Sequence, residues 1–235
     1  MLFRFPHSSW LPACRRLLLL LPALVLAAGL SARSLVKADV QLANNAVLAM
    51  YQDEDANMWI GTYDGLHLYN GKNTFVFRME LDNEFSLCSN IVLEIAPAEK
   101  GYLWVATSLG INKFSLRERR VVESYMQYVD VENIASDSEG NTVLFSGEDF
   151  ITCYRPGRAF FEDVYIPGVR AAEIVAVWSE APRVFCTLGR DGELVRYRLN
   201  DGEGKSLVRV SGRQLSARPV RKAFFNGGRL HFVDT

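Results

Sequence analysis

The sequence predicts an all-β protein: a β-propeller of four-stranded antiparallel blades, about four and a half of them present, preceded by an N-terminal signal helix. Three observations predict it. A block of residues recurs after 45 positions, short aromatic and β-branched runs are bounded by Gly, Asn and Asp, and no long 3.6-residue apolar period follows the leader. The composition, 49% apolar and 23% charged over 235 residues, is that of a folded domain with one substantial core.

The leader comes first. Residues 1–16 carry Arg4, Arg15 and Arg16 and no acid, and the apolar run LLLLLPALVLAAGL follows from Leu17 to Leu30. A basic stretch before a short apolar one is the pattern of a secretory signal. The run, interrupted by Pro22, falls short of the ~20 residues of a plain membrane span. Val36 and Ala38 suit small-residue cleavage before Asp39, with a cut after Ala32 as the second choice and an uncleaved anchor as the alternative. Removing residues 1–38 takes away five bases and no acid and leaves 21 bases against 27 acids, a charge of −6. That balance argues against nucleic acid or an anionic membrane as the main partner of this segment. The dense basic patch RERR, Arg117 to Arg120, reads as a solvated loop.

The first copy of the repeat is NNAVLAMYQDEDANMWIGTYDGLHLYNG and the second is SNIVLEIAPAEKGYLWVATSLGINKFSL. Asn45 matches Asn90, Val47 matches Val92, Trp59 matches Trp104, Thr62 matches Thr107, Gly65 matches Gly110, and Tyr69 matches Phe114, each 45 residues apart without a gap. Each copy divides into strands: AVLAMY, the turn QDEDAN, MWIGT, the turn YDG, LHLY, the turn NGKN, and TFVFRM. Four short strands in about 40–45 residues make one propeller blade, which buries its faces only against its neighbours. A Trp recurring in the second strand suits that packing. Weaker copies place Asn133, Asp137, Val143 and Ser146 in the Asn, Asp, Trp and Thr columns. Thr187, Gly192 and Tyr197 follow in a fourth copy, and Phe232 and Thr235 in a fifth. The expected blades span approximately 44–88, 89–130, 131–170, 171–215 and, incomplete, 216–235. The residues expected to carry the repeat are Trp59, Gly61, Thr62, Gly65, Trp104, Thr107, Gly110 and Thr187.

At these residues the chain resembles the two-component regulator propeller repeat, whose pattern is an acid, a turn glycine, Trp-Ile-Gly-Thr, a Gly-Leu pair and an aromatic. Ala56 stands where the turn glycine is usual, Ala106 replaces the Gly of the second copy, and copies three to five lack the tryptophan. The resemblance implies the extracytoplasmic, periplasmic sensor half of a hybrid two-component histidine kinase of the inner membrane, with glycan fragments as inducers and a homodimer in the full-length receptor. It also implies seven blades, so a chain with fewer reads as a truncated product, a gene fragment or a partial sequence. No kinase core, receiver or DNA-reading helix pair is legible.

Chemistry is sparse. Asp53, Asp55 and Asn57 are spaced like the start of a calcium loop, yet Met58 stands where that loop needs glycine and Asp64 where it needs Glu, so a turn is expected and no metal. His67 and His231 have no partner at ligand spacing, and no nucleophile motif is present. No catalytic residue and no cofactor are expected. Cys88, Cys153 and Cys186 fit no zinc pattern; Cys153 and Cys186, in apolar strands, read as buried inert thiols, with a bridge as the alternative. In an up-and-down blade, the turn between strands two and three shares a face with the connection to the next blade. That face carries Tyr63 and Asp64, Ser108 and Leu109, Gly147 and Glu148, Gly189 and Arg190, and the crossing from Glu84 to Asn90. Loops on a rigid scaffold are where binding residues concentrate. Tyr63 is the candidate to stack on a sugar; Asp64, Asn45 and Asn90 are the candidates to hydrogen-bond its hydroxyls. A propeller lyase or glycosidase and a plain interaction scaffold are the alternatives.

Overall fold

The computed structural model describes residues 40–125, 131–147, 150–158, 160–200, 207–226 and 228–235. The expected signal helix and its cleavage site, and Glu148, lie outside the described residues.

Four antiparallel meanders follow one another along the chain. The first comprises β1 (Val47–Gln52), β2 (Met58–Thr62), β3 (Gly65–Tyr69) and β4 (Thr74–Phe77). The second comprises β5 (Val92–Pro97), β6 (Tyr102–Thr107), β7 (Gly110–Ser115) and β8 (Arg120–Tyr125). The third comprises β9 (Val131–Ser136), β10 (Thr142–Ser146), β11 (Phe150–Tyr154) and β12 (Glu162–Val164). The fourth, after a 3₁₀ turn at Ala171–Glu173, comprises β13 (Ile174–Ala181), β14 (Val184–Gly189), β15 (Glu193–Leu199) and β16 (Leu207–Gln214). A hairpin of β17 (Val220–Asn226) and β18 (Arg229–Asp234) completes the described elements.

The first strands of successive sheets pack on one another, β1 on β5, β5 on β9, β9 on β13 and β13 on β17, which sets them innermost. Side chains alternate across each strand, so every sheet offers one face backward and one forward, and the core is a series of inter-blade layers. Between the first two sheets lie Trp59, Leu66 and Leu68 against Val92, Ile95, Val105 and Phe114. Trp104 and Ile111 repeat the arrangement against Ile134, Leu144, Tyr154 and Phe161 of the third sheet. Val143, Phe145 and Cys153 meet Phe185, Val195 and Tyr197, and Cys186 and Leu188 meet Val220. Trp59 stands edge-on to Phe114 at 5.4 Å between centroids, and Trp104 to Tyr154 at 5.0 Å.

Two backbone features recur in every blade. The first is a bulge near the start of the innermost strand, where Leu48, Leu93, Glu132, Val175 and Arg221 each fall outside the pairing register. Such an extra residue bends the strand and adds twist. The second is a left-handed residue in the turn between first and second strands: Ala56 (φ 62°), Gly101 (90°), Gly140 (84°), Arg183 (59°) and Gly228 (74°). Only glycine takes this conformation without cost, so Ala56 and Arg183 carry local strain.

The register corrects the sequence alignment in the last two copies. Val47 faces Thr62, Val92 faces Thr107 and Val131 faces Ser146, but Ile174 faces Gly189, and Thr187 faces Val177 at the position that Ile60 holds opposite Met50. Thr187 therefore lies two residues before the Thr column. Asp191 explains the change: its Oδ1 accepts the Glu193 N–H at 2.9 Å and would stand 2.5 Å from a Cβ on Gly189. Cys186 occupies the Trp column, and the large ring has moved across the ladder to Trp178, which stacks on Phe225 at 5.0 Å. In the fifth copy Val220 faces Asp234, one residue before Thr235, and His231, not Phe232, takes the Trp column.

Candidate functional site

The conserved geometry of the turns is built from short side chains. Asp53 Oδ1 accepts the N–H groups of Asp55 and Asn57, and its Oδ2 accepts Asn57 Nδ2 at 3.0 Å and the Trp59 indole at 2.8 Å. These bonds hold its carboxyl below the usual range against the burial that would raise it. Asp137 organises the same turn through Glu139 and Asn141 and takes the Arg183 N–H of the next sheet at 2.7 Å. The calcium-like spacing is thus a turn in which both Asp53 carboxylate oxygens already accept hydrogen bonds. Among the described residues no group of three or more His, Cys, Asp or Glu is placed to hold a metal ion.

Thr62 Oγ1 accepts the Asp64 N–H at 3.0 Å and donates to Gly65 O at 3.2 Å; Thr107 donates to Gly110 O at 2.8 Å. Thr62 and Thr107 thus close the hairpins between second and third strands of the first two sheets, which is how Tyr63 and Asp64 are presented. That hairpin meets the inter-blade connection: Gly65 N–H donates to Asn90 O at 2.7 Å, Ser108 N–H to Ile91 O at 3.0 Å, and Arg190 N–H to Glu173 O at 2.7 Å. Tyr63, Asp64 and Asn90 therefore share one face.

Their availability differs. Tyr63 is 52% exposed and Leu109 40%, a small aromatic and apolar pair in corresponding hairpins of the first two sheets. Asp64 is committed to a two-bonded pair with Arg78 at 3.0 and 2.9 Å, whose hydrogen bonds hold its carboxyl below the usual range. Asn90 Oδ1 accepts the Met79 N–H at 2.8 Å and so clasps the connection from β4. Asn45 is exposed at the start of the first copy, where its backbone oxygen accepts the Val47 N–H at 3.1 Å. Among the described residues no hydrogen bond joins it to the other three.

His67 and the cysteines are structural. Buried His67 accepts the Ala43 N–H at Nε2 (3.0 Å), leaving Nδ1 without a partner, and burial lowers its pKa. Asn112, in register with it, accepts the Cys88 N–H at 3.1 Å, so both contacts obey the 45-residue repeat. The three cysteines of the described region are free; burial pushes the Cys153 thiol up to about 12 and the Cys186 thiol to about 11, which keeps those two protonated and unreactive.

Sequence reasoning missed a cavity of about 220 Å³ on the same face of the fourth sheet. Residues 168–170, Glu173 and Ile174 wall one side, the hairpin residues Gly189 and Asp191 another, and Val195 and Tyr197 line its depth. Its residues come from four separate segments, with no local motif to announce them.

With this geometry in place, a family model described as the two component regulator propeller matches residues 41–64, from the strand-one approach through Trp59 to Asp64. Residues 41–64 are thus similar to a two-component regulator propeller repeat. In fold, the chain is similar to the extracellular domain of the hybrid two-component system BT3049 from B. thetaiotaomicron, at 19% identity and a TM-score of 0.58 over 81% of this chain and 28% of that one. It is likewise similar to the extracellular domain of BT4673 from the same organism, at 18% identity and a TM-score of 0.55, covering 82% and 26%. The chain thus spans about a quarter of the length of these structures. Among curated proteins none matches the sequence significantly. The regulator propeller repeat accounts for the Trp-Ile-Gly-Thr strand and the two turns beside it; no helix among the described residues is long and apolar enough to cross a membrane.

Proposed function

We propose that this chain is ligand-sensing propeller from the periplasmic side of a hybrid two-component sensor, non-catalytic in itself, and that its ligand is a glycan fragment. The observation that carries the reading is the regulator propeller repeat at residues 41–64 within radially packed four-stranded sheets. Those sheets present an exposed Tyr63 and an Asp64–Arg78 pair on the face shared by the hairpins and the inter-blade connections. Aromatic faces stack on the apolar face of a sugar, and fixed charged pairs supply both donors and acceptors to hydroxyls. The reading assigns this chain no role in bond cleavage, in keeping with Asp64 being spent on its two-bonded pair with Arg78.

A ligand changes output only by binding one arrangement of the full receptor, a homodimer in this proposal, better than another. Calorimetry of the protein against a panel of oligosaccharides tests the reading. One glycan class should bind, with at least a fivefold loss of affinity in Tyr63→Ala. Absence of binding by every oligosaccharide, or release of reducing ends from polysaccharide by the purified protein, would count against it.

A further inference from the structure

We propose that Glu94 is a proton-operated clasp between the second and third sheets: in its neutral form it donates to Val131 O of β9 the hydrogen bond that Asn133 donates to Ile174 O one blade later. The register makes the two side chains equivalent. Val92 faces Thr107, Leu93 falls out of register and Glu94 faces Ala106; in the next sheet Val131 faces Ser146, Glu132 falls out of register and Asn133 faces Phe145. From this position Asn133 Nδ2 reaches forward at 3.0 Å to the carbonyl of Ile174, the first paired residue of β13. The first paired residue of β9, and so the matching target for Glu94, is Val131. Ala96 and Ala106, which flank Glu94 on its own side of the sheet, already pack in one layer with Val131 and Ile134. Ala49 and Ala176 hold the same position in the first and fourth sheets, where no side chain is able to make the bond.

An amide donates at any pH, whereas a carboxylate only accepts and finds no donor in a carbonyl oxygen. Glu94 therefore completes the bond of the repeat only with its proton on. Its surroundings favour that form. The side chain is half-buried, and among the described residues no cation and no side-chain donor bonds to it. Strands β1, β2, β6 and β9 pack against β5, and their titratable side chains are Tyr51, Tyr102 and Glu132. None of the three moves the Glu94 carboxyl: burial pushes it up to about 7, opposed by the Ile95 N–H. Above that pH a charged oxygen faces a carbonyl oxygen across the joint, and the clasp opens. Glu94 lies opposite Ala106, next to the Thr107 hairpin, so the clasp sets how firmly the turn bearing Ser108 and Leu109 is held against the third sheet, whatever ligand that face takes.

The ¹³C shift of the Val131 carbonyl, followed by NMR on the full chain between about pH 5 and about pH 9, reads the clasp directly. The wild-type protein should show one titration of that carbonyl with a midpoint near 7, the hydrogen-bonded shift lying on the acid side. Glu94→Gln, whose amide donates at every pH, should hold Val131 at the acid-side shift, and Glu94→Ala should hold it at the alkaline-side shift. The Ile174 carbonyl, bonded by Asn133, should not titrate in these proteins and should begin to do so in Asn133→Asp. A Val131 carbonyl that ignores pH, or that titrates equally in Glu94→Ala, would overturn the proposal. So would a Glu94 carboxyl that titrates at its ordinary value of 4.5. A Glu94 that is merely buried, titrating near 7 without reaching Val131, would leave the Val131 shift the same in Glu94→Gln and Glu94→Ala, and that result equally refutes the clasp.

Discussion

Gly61 is the tightest point between the first two blades, and replacing it gives the sharpest stability test of how they pack. A Cβ at this position would stand 2.7 Å from Val92 Cγ1 and 3.1 Å from Val92 O. Ordinary carbon contacts lie at ~3.5–4.0 Å, so Gly61→Ala must drive β2 and β5 apart by the better part of an ångström. Overpacking of this kind costs about 1–3 kcal/mol. For a domain of this size that corresponds to a fall in melting temperature of roughly 3–10 °C. Val92→Ala removes the nearer of the two obstacles while costing its own ~2 kcal/mol of lost burial, since Val92 is fully buried. The pair should therefore couple: the double variant should be more stable than the sum of the single losses by about 1 kcal/mol or more. Urea unfolding of the four proteins measures this directly. Additive losses, or a neutral Gly61→Ala, would refute the claim that the second strand of one blade lies against the first strand of the next.

Four further outcomes follow from the geometry. Ala56→Gly should raise stability by about 1 kcal/mol in denaturant unfolding, because Ala56 is left-handed at φ 62° where three of the other four blades place glycine. Lys113, its side chain 7% exposed between Glu99, Glu123 and the rings of Tyr102 and Tyr154, should lose about 2–4 kcal/mol when changed to Ala, since two carboxylates would be left without their cation. His67 has a folded pKa below its unfolded value, so its contribution is complete above pH ~6.5 and is lost as pH falls; His67→Asn, copying Asn112, should flatten that acid slope in melting experiments. Glu94 has the opposite sign: burial pushes its carboxyl up from 4.5 to about 7, so its penalty grows as pH rises between those values, and Glu94→Gln should stabilise the protein above pH 7 by roughly 2–3 kcal/mol.

Much of the architecture was legible because propeller blades are local. Each sheet is a meander within some forty residues, so strand period and turn residues specify it without long-range information. The ungapped match of Trp59 to Trp104 was enough to set the first two registers, since both rings fill the same forward-facing inter-blade position. Register failed where the landmark moved. In the fourth sheet the ring crosses the ladder from the Cys186 position to Trp178, and Asp191 takes over the work of the column threonine, so Thr187 was aligned two residues early. A better landmark was present: the left-handed turn residue, read as Gly101, Gly140 and Gly228, would have placed Arg183 and Ala56 by position. The shared face of Tyr63, Asp64 and Asn90 was also legible, as a consequence of up-and-down topology. What no local pattern could show was that Arg78 already holds Asp64, that Asn90 is turned inward to Met79, or that Gly189 and Asp191 border a cavity with residues 168–174. Those facts depend on pairs brought together by folding.

The account rests on sheets that stack face to face without joining edge to edge. Backbone NOE and amide-exchange NMR on the protein tests this most directly. The expected result is cross-strand contacts between Val47 and Thr62, Val92 and Thr107, Val131 and Ser146, and Ile174 and Gly189, with slow exchange within each sheet and no ladder between β4 and β5. A continuous ladder running from β4 into β5 and from β8 into β9, as a closed barrel requires, would contradict it.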